Sequence, residues 1–289
     1  MRKTQPLISL HNDVKMPMIG YGVFQIPAKE TAELVKTAIQ TGYRLIDTAA
    51  AYRNEAQVGK GLQRSGIARS ELFVTTKLWI SDFGYDEALK GFDASRRKLG
   101  LDYVDLYLLH WPVPTKFNST IASYQALEKL LADGLVRAIG VSNFTPANLE
   151  TLIKHADIIP AVNQIELHPY FSQKQLRETH SKLGIVTQAW SPIGGVLRYS
   201  GGQPDTSKTL LKNPTIIKLA EKYAKTPAQI ILRWHVDHGI AIIPKSVHPS
   251  RIAENLDILD FSLNEEDIVS IDSLNLDLRG GPDPDTFGC

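Results

Sequence analysis

The feature that most constrains this chain is an alternation. Short apolar runs rich in β-branched residues are followed repeatedly by longer segments whose apolar residues recur every three or four positions. Candidate strands fall at residues 18–22, 44–47, 72–77, 104–109, 136–141, 161–165, 185–189 and 240–243, and candidate helices at 31–40, 85–99, 121–132, 147–155, 173–182 and 214–224. Thr145 before Pro146 and Thr226 before Pro227 place a capping hydroxyl ahead of a proline at a first helical position, and glycines at 42, 100 and 184 stand where helices should stop. Strands that each lead into a helix build a parallel sheet covered by helices, and closing eight of them gives an α/β fold of the (β/α)8 TIM barrel type. An open doubly wound sheet is the alternative. Residues 7–18 read as a short N-terminal β-hairpin turning at His11-Asn12-Asp13. No repeat or linker divides the sequence, so residues 1–289 are expected to form a single domain. The polar, glycine-containing stretch 198–207 comes after the seventh candidate strand, at the end where barrels keep their chemistry.

Charge narrows the partners. Lys and Arg total 32 against 31 for Asp and Glu, a formal charge of +1, so no global field draws the protein to nucleic acid or a membrane surface. An anion must then be held by a local site. Cys289, the one cysteine, has no partner for an internal disulfide and fits a reducing compartment, hence the cytoplasm. No signal-like apolar stretch and no run of eighteen apolar residues is present, so neither export nor a membrane span is expected. A monomer is the expected state.

The polar residues that interrupt the apolar pattern carry the chemistry. Asp47, Lys77 and His110 each close a strand run (Arg-Leu-Ile-Asp, Phe-Val-Thr-Thr-Lys, Leu-Tyr-Leu-Leu-His), and in a barrel these positions converge on the carboxyl-end mouth. Taken singly, each has a plain structural reading: Asp47 with Lys77 as a buried ion pair, His110 as a satisfied core histidine. Their joint placement, with Tyr52 just beyond Asp47, favours a reactive site. Tyrosine, with a pKa of about 10, is a poor acid at neutral pH unless a neighbouring ammonium lowers that value. Lys77 is the candidate ammonium, Asp47 its anchor and His110 an orienting hydrogen-bond partner. Such a set can protonate an alkoxide as it forms. No side chain supplies hydride, so a nicotinamide cofactor is required. His235 and His238 have a zinc-compatible spacing but no further ligands nearby, and no metal is expected.

The usual dinucleotide fingerprints are missing: no third glycine comes after Gly20-Tyr21-Gly22, and Gly59-Lys60-Gly61 lacks the rest of a P-loop. Several ordered motifs instead resemble the aldo-keto reductases. They are Met16-Pro17-Met18-Ile19-Gly20-Tyr21-Gly22, Gly42-Tyr43-Arg44-Leu45-Ile46-Asp47-Thr48-Ala49, Tyr52 with Asn54-Glu55, Lys77-Leu78-Trp79, His110-Trp111-Pro112, Gly140-Val141-Ser142-Asn143-Phe144 and Ile243-Pro244-Lys245-Ser246. The resemblance runs from about residue 7 to residue 287. It implies that Asp47, Tyr52, Lys77 and His110 are a catalytic tetrad with Tyr52 as general acid in NADPH-dependent carbonyl reduction.

The same resemblance implies a cofactor site. Ser142, Asn143 and Gln164 match the positions that hold the nicotinamide carboxamide, and Trp190 the aromatic that stacks on the ring. Val23, Phe24, Asp47, Ser191, Pro192, Ile193 and Gly194 match further contacts. Lys245, Ser246, Val247 and Arg251 match the site of the adenosine 2′-phosphate, and Glu254 and Asn255 that of the adenine. An arginine able to grip a phosphate argues for NADPH/NADP+ over NADH. Phe24, Tyr52, Trp79, His110 and Trp111 are expected to meet a small carbonyl substrate, in a pocket left open by the short stretch after Trp111. The chain's ending, Gly-Pro-Asp-Pro-Asp-Thr-Phe, resembles the microbial and protozoal branch that includes diketogluconate, methylglyoxal and prostaglandin F synthase-type reductases. Two rivals stay open: an NADPH-binding sensor or accessory subunit with little turnover, and a barrel lyase or isomerase using Lys77 as a Schiff base.

Overall fold

The computed structural model describes residues 5–194 and 209–288, so the stretch 198–207 and Cys289 lie outside the described residues. The first element is the expected hairpin: β1 (Leu7–Ser9) pairs antiparallel with β2 (Lys15–Pro17). Leu10 and Met16 are buried with barrel residues such as Leu45, Phe73 and Ala138. The His11 ring and the Asn12 amide bond the carbonyls of Ile159 and Arg137, which seats the hairpin against the amino end of the strands.

Next in the chain is a parallel sheet whose strands neighbour one another in sequence order: β3 (Gly20–Gly22), β4 (Leu45–Asp47), β5 (Phe73–Leu78), β6 (Val104–Leu109), β7 (Val136–Ser142), β8 (Val162–Glu166), β9 (Val186–Trp190) and β10 (Ala241–Ile242). The two ends meet where Ile19 bridges to Ile242 in parallel, with Ile242 N donating to Met18 O at 2.8 Å. The barrel is thereby closed. Nearly every strand residue is buried, as a sheet with side chains inside and helices outside requires.

The outer layer comprises α1 (Ala28–Thr41), α2 (Glu55–Arg64), α3 (Tyr85–Leu99), α4 (Phe117–Ala132), α5 (Pro146–Ile153) and α6 (Lys174–Leu183). After β9 come α7 (Pro214–Tyr223) and α8 (Pro227–Asp237), and after β10 come α9 (Pro249–Leu256) and α10 (Glu265–Asp272). Thr145 caps α5, and Thr226 with Gln229 forms a reciprocal capping box on α8. Gly42, Gly100 and Gly184 end their helices with positive φ. The helix α2 is unannounced by propensity because it carries Gly59 and Gly61. Packing explains them: a side chain at Gly59 would run into the carbonyl of Leu99 at the end of α3. No described helix is long and apolar enough to cross a membrane.

Candidate active site

Adjacent parallel strands bring the mouth residues together. Asp47 is the last residue of β4, Lys77 lies one residue before the end of β5, and His110 comes directly after β6. Tyr52 ends the short 3-10 turn Ala50–Tyr52 beyond β4. Lys77 Nζ donates to Asp47 Oδ1 at 2.7 Å, to Thr48 O at 3.0 Å and to Tyr52 Oη at 3.3 Å, which uses all three ammonium protons. The other oxygen of Asp47, Oδ2, accepts from Gln164 Nε2 at 2.7 Å. Lys77 and Asp47 are wholly buried, so the pair depends on these bonds to offset desolvation. Burial pushes the Asp47 carboxyl up against the pull of Lys77 and Gln164, and pushes the Lys77 ammonium down against the pull of Asp47.

For Tyr52 the electrostatics run opposite to the sequence-based expectation. Lys77 was expected to lower the phenol's pKa; instead burial, with Asp47 adding to it, holds the phenol well above its ordinary value. The distances give the reason: the ammonium sits closer to the Asp47 carboxylate than to the phenol, so its charge is largely neutralised where it stands. Tyr52 is therefore a neutral phenol that keeps its proton. His110 is held well below the ordinary histidine value, by burial first and by Lys77 second, so its ring is uncharged. Its carbonyl accepts from Asn143 Nδ2 at 3.0 Å, and its Nδ1 is buried without a hydrogen-bond partner among the described residues.

Aromatic rings enclose the two groups. Phe24 lies 4.9 Å from the Tyr52 ring, and Trp79 lies 5.1 Å from His110, centroid to centroid, with Trp111 stacked on the histidine at 6.5 Å. Phe287 comes from the far end of the chain to pack on Trp111 at 4.3 Å and on Trp79 at 6.1 Å. Beside the short stretch after Trp111, Phe287 of the C-terminal segment thus covers the Trp111 and Trp79 rings.

The residues matched to a nicotinamide cofactor occupy the neighbouring strand ends. Ser142 Oγ donates to Gln164 O at 2.7 Å, Asn143 Nδ2 donates to Ser142 Oγ at 3.1 Å, and Asn143 Oδ1 accepts from Trp190 Nε1 at 2.8 Å. Amide and hydroxyl groups are thus gathered beside a half-buried indole whose edge is fixed, a donor set that suits a carboxamide on a flat ring. Ser191 has φ of 49°, and Gly194 N turns back to its carbonyl, with buried Pro192 and half-buried Ile193 between them. Val23 is fully buried, its N–H bonded to Asp47 O and its carbonyl to Asn54, whereas Phe24 is exposed.

The phosphate end also fits. Lys245 and Arg251 are exposed cations flanking the start of α9, whose N-cap residue His248 makes no side-chain cap bond. First-turn amides and adjacent cations suit a phosphate dianion. Ser246 is buried and accepts from His248 N, and Val247 is half-buried between them. Of the two residues matched to the adenine, Asn255 is buried in α9, and Glu254 accepts from Thr226 Oγ1 at 2.7 Å, which ties it to α8.

The sequence profile of the Aldo/keto reductase family matches residues 18–276. The chain belongs to this family. A morphine 6-dehydrogenase from Pseudomonas putida is 53% identical over 285 residues, covering 98% of this chain and 96% of the relative. A glyoxal reductase from Bacillus subtilis is 50% identical over 279 residues, 96% of each chain. Among solved structures, a Bombyx mori aldo-keto reductase in complex with NADP superposes with a TM-score of 0.89 at 37% identity, over 96% of this chain and 95% of that one.

In this aldo/keto reductase the motif His168-Pro169, to which the sequence assigns no chemistry, has a buried companion that sequence reasoning passes over. Glu166, at the end of β8, is fully buried and accepts from His168 Nε2 at 3.1 Å. The signal for it was weaker than for Asp47: a charged residue closing a strand, Val-Asn-Gln-Ile-Glu, that already carries Asn163 and Gln164. Phe287 leaves no such signal, because its neighbours Trp79 and Trp111 are remote in sequence. Trp234 is a core residue, as expected, with its N–H on Asp272. His235 meets the carbonyls of Ile231 and Leu167, and His238 meets Asp272. Among the described residues no three metal-binding side chains gather.

Proposed function

We propose that this chain reduces small aldehydes, dicarbonyls or keto-sugars to alcohols with NADPH, acting in the cytoplasm as a monomeric single-domain barrel. The observation that carries the reading is the Tyr52 hydroxyl, 3.3 Å from an ammonium that a buried carboxylate fixes, at an aromatic-lined mouth. The bound cofactor supplies the hydride. Tyr52 holds the proton and gives it to the carbonyl oxygen as negative charge develops there. Lys77 keeps the phenol oxygen in place and stabilises the phenolate left behind, and Asp47 holds Lys77. Uncharged His110 orients the carbonyl. Ser142, Asn143, Gln164 and Trp190 hold the nicotinamide, and Lys245, Ser246 and Arg251 the 2′-phosphate. Phe24, Trp79 and Trp111 exclude water and hold the substrate's apolar part. Similarity to a glyoxal reductase, and at 46% identity to a methylglyoxal reductase from Yersinia pestis, supports the dicarbonyl class.

The test is NADPH consumption against a panel of aldehydes, ketones, methylglyoxal and sugar-derived dicarbonyls. Turnover is expected with small dicarbonyls and aldehydes. Tight NADPH binding with no turnover across the panel would replace this reading with that of a sensor or accessory subunit.

A further inference from the structure

The carboxylate of Glu166 has an unusual set of partners. Its Oε1 accepts from Gly280 N at 2.8 Å as well as from His168, and its Oε2 accepts from Gly281 N at 2.9 Å. Two consecutive backbone amides near the end of the chain are therefore clamped by one buried carboxylate on β8. The clamp stands directly over the indole matched to the nicotinamide: Glu166 pairs in register with Trp190 on β9. A Cβ on Gly281 would come within 2.5 Å of Trp190 Cη2 and 3.1 Å of Glu166 Oε2, so only glycine lets the backbone lie this close.

Beyond the clamp, the chain reaches the substrate side of the mouth. Asp285 accepts from Asn148 Nδ2 at 3.4 Å, Phe287 N turns back to Asp283 O at 2.9 Å, and the Phe287 ring lies on Trp111 and Trp79. The two bonds from Gly280 and Gly281 are made to a fully buried carboxylate. The amides of Leu276 and Leu278 fasten the segment first, both to Tyr170 O at 3.1 Å, and Glu166 fastens it again at Gly280 and Gly281, the point from which the chain extends to Phe287. A carboxylate is the group that can do this, since each oxygen takes one amide; a carboxamide would turn its NH2 against one of them.

We infer that Glu166 is a positioning residue for carbonyl reduction: it fastens the Gly280-Gly281 turn onto Trp190 and thereby holds Phe287 as the roof of the substrate pocket. This role rests on the reductase reading above for its kinetic consequence, but not for its structural one. Substrates small enough to fit beneath Phe287 gain their contact with it only while the turn is fastened. Larger carbonyl compounds gain nothing and are obstructed.

Two measurements on Glu166→Gln test it: hydrogen exchange across residues 276–288, and steady-state kinetics with a small dicarbonyl and a bulky aryl ketone. Exchange in that segment is expected to rise by about tenfold or more while the barrel strands stay protected. KM for the small substrate should rise by roughly five- to tenfold with kcat changed less than about twofold, and the aryl ketone should lose no affinity. Phe287→Ala should reproduce the kinetic split without touching the clamp. Should Glu166→Gln fail to fold, Glu166→Asp carries the same test, because its carboxylate, one methylene shorter, is withdrawn from the two amides. Unchanged exchange in 276–288 overturns the clamp, and equal losses for both substrates, or a fall in kcat at constant KM, overturn its positioning role. Absence of turnover in the wild type as well would count against the reductase reading alone, since the exchange result stands apart from it.

Discussion

Lys77 Nζ lies 2.7 Å from Asp47 Oδ1 with neither side chain reaching solvent, and the two residues sit at the ends of neighbouring strands. A pair so placed is held by mutual need: each charge is tolerable only because the other is present. Lys77→Met should therefore cost about 3–5 kcal/mol in urea unfolding by leaving a buried carboxylate unpaired, and adding Asp47→Asn should restore part of that loss. A single-variant cost below about 1 kcal/mol would mean that the pair does not hold the mouth together.

Tyr52→Phe removes only the hydroxyl and keeps the ring against Phe24. Carbonyl reduction should fall by about a hundredfold or more while NADPH affinity, read by fluorescence titration, stays within about twofold. Retained turnover would remove Tyr52 as the acid.

Arg251 is exposed in the first turn of α9 and has no part in the strand ends that gather Asp47, Tyr52, Lys77 and His110. Arg251→Ala should raise KM for NADPH by about tenfold and leave that for NADH nearly unchanged. An equal effect on both cofactors would sink the 2′-phosphate assignment.

His180 gives the fold a pH dependence of its own. Its Nε2 faces the Asn163 amide, which donates, so Nδ1 carries the proton toward Thr187 Oγ1 and the ring is neutral. Burial lowers its pKa from 6.5 to about 4. The unfolded chain takes up a proton below about pH 6.5 and the folded chain does not, so stability is whole above that value and is lost as pH falls toward 4. The loss should approach about 3 kcal/mol, read as a shift in urea midpoint between pH 7 and pH 4. His180→Gln should flatten that part of the curve; an unaltered slope would assign it to other groups.

Much of the barrel and its mouth is legible in the sequence because burial leaves a pattern. Asp47, Lys77 and His110 stand out as polar residues ending apolar strands, and each is found at the mouth. The direction of the Tyr52 shift is not legible, since it turns on Lys77 lying nearer to Asp47 than to the phenol. Glu166 was marked less clearly than Asp47, because Asn163 and Gln164 precede it in its strand, and the backbone amides of Gly280 and Gly281 that it clamps have no side chain to announce them. The helix α2 was hidden for a related reason: the glycines that let it approach α3 are those that weaken its helical signature.

The seam between β3 and β10 sets an order of events at the ribosome. Ile242 N must find Met18 O, Gly22 N must find Pro244 O, and Tyr21 Oη must find Ser246 O, all across more than two hundred residues of chain. Strands β4 to β6 can pair as they emerge, and with them Asp47, Lys77 and His110. The lip that joins those residues to the expected phosphate site has no counterpart until β10 is released. Until β10 is made, a nascent chain is therefore an assembly of half-covered strands, and the finished mouth comes into being only once the last barrel strand has joined the first.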